Sequence, residues 1–232
     1  MNNVTAPIAV ALDLSSFAEI ERVARSVSPF VSILKVGLQT FYRDGIKATE
    51  LVRELGCGLF LDLKLHDIPN TVKGACESLA PLRPDYLTVH ASGGVAMMKA
   101  AVEALPHTKI TAVTALTSLA EKDVRAWGDI SIGNFANALA ESAVEANVGA
   151  IVCSGHEVEN IRRIVGSEIE IIVPGIRSAL AAGDDQQRTM TLTEAMNAGA
   201  SIAVIGRPIT SADDPRSAAE KFQEEFRSIH AK

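Results

Sequence analysis

Asp62 and Lys64 stand two residues apart in Leu61-Asp62-Leu63-Lys64-Leu65. In a strand, residues i and i+2 share a face. The three leucines therefore point one way and the charged pair the other. The leucines need an apolar layer, so Asp62 and Lys64 face whatever the sheet encloses. A lone inward charge is heavily penalised, and an adjacent opposite charge offsets much of that penalty. The plain alternative is a structural ion pair. Lys35 and Asp67 argue against it, because two lysines and two aspartates would alternate in one network. A lysine held between carboxylates stays protonated and can deliver its proton to a carbanion. A carboxylate fixed there also repels a docked anion, by about 4 kcal/mol at ~4 Å and an effective dielectric near 20. Loss of carbon dioxide from a substrate carboxylate relieves that repulsion. Stabilisation of the developing carbanion beside the lysine is the larger expected contribution.

A second group of residues reads as an anion clamp. Gly206-Arg207 follows one apolar run, and Pro174-Gly175-Ile176-Arg177 follows the run before it. Gly206 lets backbone N–H groups approach a ligand closely, and each arginine offers a fork of donors. The net charge of −6 excludes nucleic acid as a main partner, because no basic excess exists to displace counterions. It leaves room for a small anionic substrate, which needs only a few placed cations.

These residues must be held by a scaffold, and the chain shows which. Eight short apolar runs recur: Ile8–Leu12, Val31–Val36, Leu59–Lys64, Tyr86–His90, Lys109–Leu116, Ala150–Ser154, Ile169–Val173 and Ser201–Ile205. Amphipathic stretches lie between them, including Phe17–Val27, Gly45–Leu55, Asn134–Ala146 and Val158–Val165, and Pro215–Ile229 closes the series. Strands apolar on both faces that alternate with helices imply a parallel sheet covered on both sides. Eight units in 232 residues predict a (β/α)8 TIM barrel of the α/β class, one domain over residues 1–232. Aromatic residues are only 4%, so branched aliphatics and alanine must fill the barrel. Asp13, Lys35, Asp62, Lys64, His90, Thr117, Arg177 and Arg207 then gather at the C-terminal ends of the strands, where barrel enzymes carry their chemistry. The two long connections, Thr117 to Asn134 and Gly175 to Thr191, belong to the same mouth. Thr114 and Ser118 read as core packing and loop capping.

Cys57, Cys76 and Cys153 are odd in number and widely spaced, which disfavours a disulfide framework or a zinc site. No apolar run approaches the ~18 residues that span a membrane. The start of the chain lacks the basic, then apolar, pattern of a signal peptide. The expectation is a cytoplasmic enzyme with no membrane partner.

The segment from Asp62 to Thr71, Asp-Leu-Lys-Leu-His-Asp-Ile-Pro-Asn-Thr, resembles the signature of the orotidine 5′-phosphate decarboxylase family. The residues around Asp13, Lys35, His90, Thr117, Arg177 and Gly206-Arg207 occur in the family's order, so the resemblance covers about residues 7 to 210. The short length resembles the compact bacterial form. The resemblance implies a metal-free, cofactor-free decarboxylation of orotidine monophosphate to uridine monophosphate in pyrimidine biosynthesis. It makes Lys64 the proton donor to pyrimidine C6 and puts Asp62 near the departing carboxylate. Lys35 holds the ribose and completes the network. It gives Asp13 and Thr117 sugar and substrate contacts. It assigns the phosphate to Arg177 and Arg207, with Pro174 and the Gly206 backbone beside them. It implies a homodimer in which Asp67, Ile68 and Thr71 reach the partner's site. A glutamine in the loop after the seventh strand bridges phosphate and base; Gln186 is selected, with Gln187 its neighbour. Thr88 stands where the family pattern leads one to expect asparagine.

Two other functions fit part of this pattern. Magnesium-dependent sugar-phosphate decarboxylases and aldolases of the same superfamily share Asp-x-Lys-x-x-Asp. They place an acidic ligand at the end of the second strand, where Lys35 stands here and would repel a divalent metal. A phosphate-binding barrel without catalysis would keep Arg177 and Arg207 but need not keep Lys35, Asp62, Lys64 and Asp67 together.

Overall fold

A computed structural model describes residues 5–126, 128–177 and 190–230. Eight strands form a closed barrel: β1 (Ala6–Ala11), β2 (Val31–Gly37), β3 (Gly58–Leu65), β4 (Tyr86–His90), β5 (Lys109–Val113), β6 (Ala150–Val152), β7 (Glu170–Val173) and β8 (Ile202–Ile205). Neighbours in sequence are neighbours in the barrel, β8 closes on β1, and every pairing is parallel. The principal helices are α1 (Phe17–Val27), α2 (Leu38–Glu54), α3 (Pro69–Leu79), α4 (Val95–Ala104), α5 (Ile132–Glu145), α6 (Val158–Val165), α7 (Leu192–Asn197) and α8 (Pro215–His230). This is the (β/α)8 arrangement that the alternating pattern predicts. Among the described residues no helix is long and apolar enough to cross a membrane.

Helix starts follow local chemistry. Ser16 caps α1 by accepting from the Glu19 N–H, Ser131 caps α5 by accepting from Asn134, and Thr191 caps α7 by accepting from Glu194. Pro69 opens α3, where its missing N–H is no loss. The core has two layers. Leu61, Val89, Ile151 and Ile171 pack outward against the helices. Ala9, Ala11, Ala150, Phe60, Tyr86 and Ile172 fill the barrel, small residues facing large ones. Phe60 and Tyr86, with ring centroids 5.6 Å apart, are the largest side chains of that interior in an aromatic-poor chain.

Several boundaries differ from the sequence pattern. β5 ends at Val113 rather than Leu116, because Thr114 and Ala115 already belong to the following turn, although the Thr114 N–H still bonds the Val152 carbonyl. α2 begins at Leu38 rather than Gly45. Its first half exposes Leu38, Tyr42 and Ile46, which hides the amphipathic period, and Gly45 (φ 44°) interrupts its helical geometry. The connection after β5 holds a short helix, Glu121–Arg125, whose Val124 packs with Ala115, Ile132 and Ala136 as a separate apolar cluster. The ends of the connection after β7 meet as a two-residue parallel pair, Ile176–Arg177 with Met190–Thr191.

Candidate active site

Asp62 lies at the end of β3 and faces into the barrel, while Leu61, Leu63 and Leu65 pack against the helix layer, as the alternation requires. The β2–β3 register sets Asp62 opposite Gly37, and the β1–β2 register sets Lys35 opposite Ala11, two residues before Asp13. These alignments bring four charges into one line. Asp13 Oδ2 is 3.1 Å from Lys35 Nζ, Lys35 Nζ is 3.1 Å from Asp62 Oδ2, and Asp62 Oδ1 is 2.6 Å from Lys64 Nζ. Within one chain the second aspartate of this line is Asp13. Gly37 leaves room for this line, since a Cβ at that position would press on Asp13 Oδ1 and Lys35 Nζ and force one of them to move.

Electrostatics follow from burial and alternation. Burial pushes the Asp62 carboxyl up, but the ammonium groups of Lys35 and Lys64 outweigh it and hold Asp62 down at about 2. Burial pulls Lys35 down, and Asp62 and Asp13 overcome this and raise it. Both groups are therefore charged at neutral pH. Lys35 is 6% exposed, whereas the Lys64 side chain is 29% exposed and the Asp13 side chain 40%. The network is buried at its middle and open at both ends.

Those ends face a cavity of about 480 Å³ at the barrel mouth. One wall carries Asp13, Lys35, Asp62 and Lys64. Another carries Pro174, Arg177, Gly206 and Arg207, with Thr117 to the side. Ala11, Phe60, Val113, Val152 and Val204 make an apolar floor. Two groups of cations at one mouth, among apolar side chains, suit a ligand with an anionic group at each end.

Asp67, Ile68 and Thr71 do not line this cavity; all three are exposed on the turn into α3 and its first turn. Asp67 accepts the Ile68 N–H at 2.7 Å. Gln186 and Gln187 lie outside the described residues. His90 stands beside the mouth with its ring 5.3 Å from that of His66; burial, then the His66 and Lys64 charges, lower its pKa. Thr114 is buried and bonds the Val152 carbonyl, in keeping with a core role. Sequence reasoning did not single out Thr210, Ala115 or Leu116, which also line the cavity. Nothing in their residue types marks them.

Comparison with known proteins adds independent findings. Residues 6–222 match the model of the orotidine 5′-phosphate decarboxylase / HUMPS family. The chain is similar to an orotidine 5′-phosphate decarboxylase of Thermobifida fusca, 49% identical over 98% of this chain and 99% of that protein. It is 48% identical to one of an Anaeromyxobacter species, over 91% of this chain and 94% of that protein. Among solved structures it resembles the orotidine 5′-phosphate decarboxylase of Lactobacillus acidophilus, with TM-score 0.83 and 33% identity over 95% of this chain and 98% of that one.

Proposed function

The chain belongs to the orotidine 5′-phosphate decarboxylase / HUMPS family, and from that premise we propose that it converts orotidine 5′-monophosphate to uridine 5′-monophosphate in pyrimidine biosynthesis. The observation that carries this reading is the Asp13–Lys35–Asp62–Lys64 line at the edge of a cavity that Arg177 and Arg207 also line.

The chemistry runs as follows. The phosphate docks at Arg177 and Arg207, beside Pro174 and the Gly206 backbone, and the ribose at Asp13, Lys35 and Thr117. Gln186, or its neighbour Gln187, spans phosphate and base. The substrate carboxylate then lies against Asp62. The C6–carboxyl bond breaks, its electron pair stays on C6, and carbon dioxide leaves. The Lys64 ammonium stabilises that pair and gives it a proton, and neutral Lys64 regains a proton from water. One orotidine monophosphate and one proton become one uridine monophosphate and one carbon dioxide. Phosphate binding remote from C6 supplies energy used at the reacting carbon.

The family description also spans sugar-phosphate enzymes, and Lys35 decides between them. Its ammonium fills the space between Asp13 and Asp62 that a divalent metal would need. The reading therefore takes the reaction to need no metal or organic cofactor. It also takes the working unit to be a cytoplasmic homodimer, in which Asp67, Ile68 and Thr71 of one protomer complete the site of its partner. Exposed Ile68, Leu38, Tyr42 and Ile46 lie on segments that start from the same end of neighbouring strands, and they offer an apolar surface for a second copy.

The test is loss of the ultraviolet absorbance of orotidine monophosphate in the presence of a chelator. Undiminished turnover is expected. Turnover lost with the chelator and restored by magnesium favours the sugar-phosphate class, and nucleotide binding without turnover favours a binding barrel. Mixing inactive Lys64→Ala and Asp67→Ala chains tests the shared site. Random pairing puts one intact site in half of the dimers, so about a quarter of wild-type activity returns. No recovery on mixing rejects it.

A further inference from the structure

The β3–β4 ladder contains a break beside the charged line. Phe60 pairs with Tyr86 and Leu61 with Leu87, but the next pair is Leu65 with Val89. Four residues of β3 thus run against two of β4. Lys64 lies in the extra length with φ 49°, a left-handed conformation that side chains other than glycine rarely adopt. Such a conformation persists only where its surroundings hold it. Thr88 on β4 does so here. The Lys64 N–H, without a ladder partner, donates to Thr88 Oγ1 at 2.8 Å. The same hydroxyl donates to Asp62 Oδ1 at 3.1 Å, and that oxygen also receives Lys64 Nζ at 2.6 Å. The three groups close a ring from the lysine backbone, through the threonine hydroxyl and the carboxylate, to the lysine ammonium.

We propose that Thr88 is the positioning residue of the proton donor, an inference that rests on the decarboxylase reading above. Thr88 is fully buried and does not line the cavity, so it acts through Asp62 and Lys64 rather than on substrate. The position demands a group that accepts from one side while donating to the other. A hydroxyl does this and an isosteric valine does not. β-branching adds a stiff χ1, which fixes the hydroxyl between its two partners. Without it, the Lys64 N–H is left buried and unpaired, and the bulge that aims the ammonium is free to relax. Displacement of a catalytic group by about 1 Å costs on the order of 10²-fold in rate. The phosphate arginines stand on other strands and are not disturbed.

Three Thr88 variants and one measurement on the unsubstituted protein test this. Thr88→Val is expected to lower kcat about 10²-fold, with the Kd for uridine monophosphate by calorimetry held within about twofold. Thr88→Ser, which keeps the hydroxyl, is expected within about threefold of the wild-type kcat. A folded Thr88→Val enzyme with wild-type kcat overturns the proposal, as does a folded Thr88→Ser enzyme that loses as much as the valine variant. Should the valine chain not fold, Thr88→Ala is read by the same criteria. On the unsubstituted protein, amide hydrogen exchange is expected to show the Lys64 N–H as protected as Leu61. Exchange at loop rates refutes the bond that the proposal needs. If the unsubstituted protein itself does not turn over orotidine monophosphate, the activity reading fails, while the exchange experiment still judges Thr88.

Discussion

The barrel holds two charged clusters, one at each end. At the foot, Lys109 Nζ is 2.5 Å from Glu170 Oε1, the Tyr86 hydroxyl donates to Glu170 Oε2 at 2.9 Å, and Lys109 lies over the Tyr86 ring. Nearby, Arg162 donates to the carbonyls of Gly166, Ile169 and Gly199 and to Ser201 Oγ. There the first residues of β4, β5 and β7 turn their polar atoms toward one another. At the mouth, the Asp13–Lys35–Asp62–Lys64 line is also made of ion pairs, yet its terminal members open on a cavity. The interaction type is the same and the consequence differs. Charges paired at the foot, away from the mouth cavity, serve the fold. Charges paired at a cavity wall, with one ammonium left partly open, can act on a ligand.

The comparison breaks most sharply at Lys64. Lys64→Ala is expected to lower kcat by about 10⁴-fold, since a positioned general acid contributes up to that much. Calorimetric binding of uridine monophosphate should be partly kept, because the arginine wall is untouched. A Lys64→Ala enzyme with wild-type turnover would remove the mouth cluster's chemical role. Arg207→Ala comes next, with kcat/KM down about 10²- to 10³-fold through loss of a charge-assisted phosphate contact. Orotidine without its phosphate should react equally slowly with both enzymes. A variant that discriminates between the two substrates as the wild type does would place the phosphate elsewhere.

A smaller effect reads the mouth cluster as a stability element. Asp62 has its carboxyl depressed from 3.8 to about 2; burial opposes this, and Lys35 and Lys64 prevail. The stabilising contribution is fully present above the unfolded value near 4 and is lost as pH falls toward 2. A depression of this size corresponds to about 2 kcal/mol. Between pH 4 and 2 the wild type should therefore lose about 2 kcal/mol more stability than Asp62→Asn in denaturant titrations. Equal losses would mean that the native pairing does not hold Asp62 ionised.

Why the mouth was legible in the sequence and the foot was not has a physical basis. Alternation with Leu61, Leu63 and Leu65 fixed the direction of Asp62 and Lys64, and the apolar runs located the strand ends that carry Arg177 and Arg207. Asp13 as the partner of Lys35 within one chain depends on the β1–β2 register, which no local pattern encodes. The left-handed turn at Lys64 was hidden, since simple alternation allows no extra residues. Thr88 showed only as a departure from an expected asparagine. The first half of α2 was missed because Leu38, Tyr42 and Ile46 face outward, against the rule that apolar residues mark the buried face. At the foot, Glu170 lies 84 residues from Tyr86 and 61 from Lys109 along the chain, and each alone is an ordinary strand-end residue.

The smallest expected effect tests the foot cluster. Glu170→Gln keeps an oxygen for the Tyr86 hydroxyl and removes the charge opposite Lys109. The Lys109 side chain is 47% exposed and that of Glu170 29%, so water screens much of the pair. The loss in stability should stay below about 1 kcal/mol. Glu170 opens β7, whose four residues span roughly 10 Å at about 3.3 Å each, so apolar barrel layers separate it from the cavity. Accordingly kcat/KM should hold within about twofold, a difference too small to count as loss of transition-state contact. A folded Glu170→Gln enzyme with kcat/KM reduced tenfold would show that the foot communicates with the mouth. The barrel would then be one coupled electrostatic unit rather than a scaffold with a reactive end.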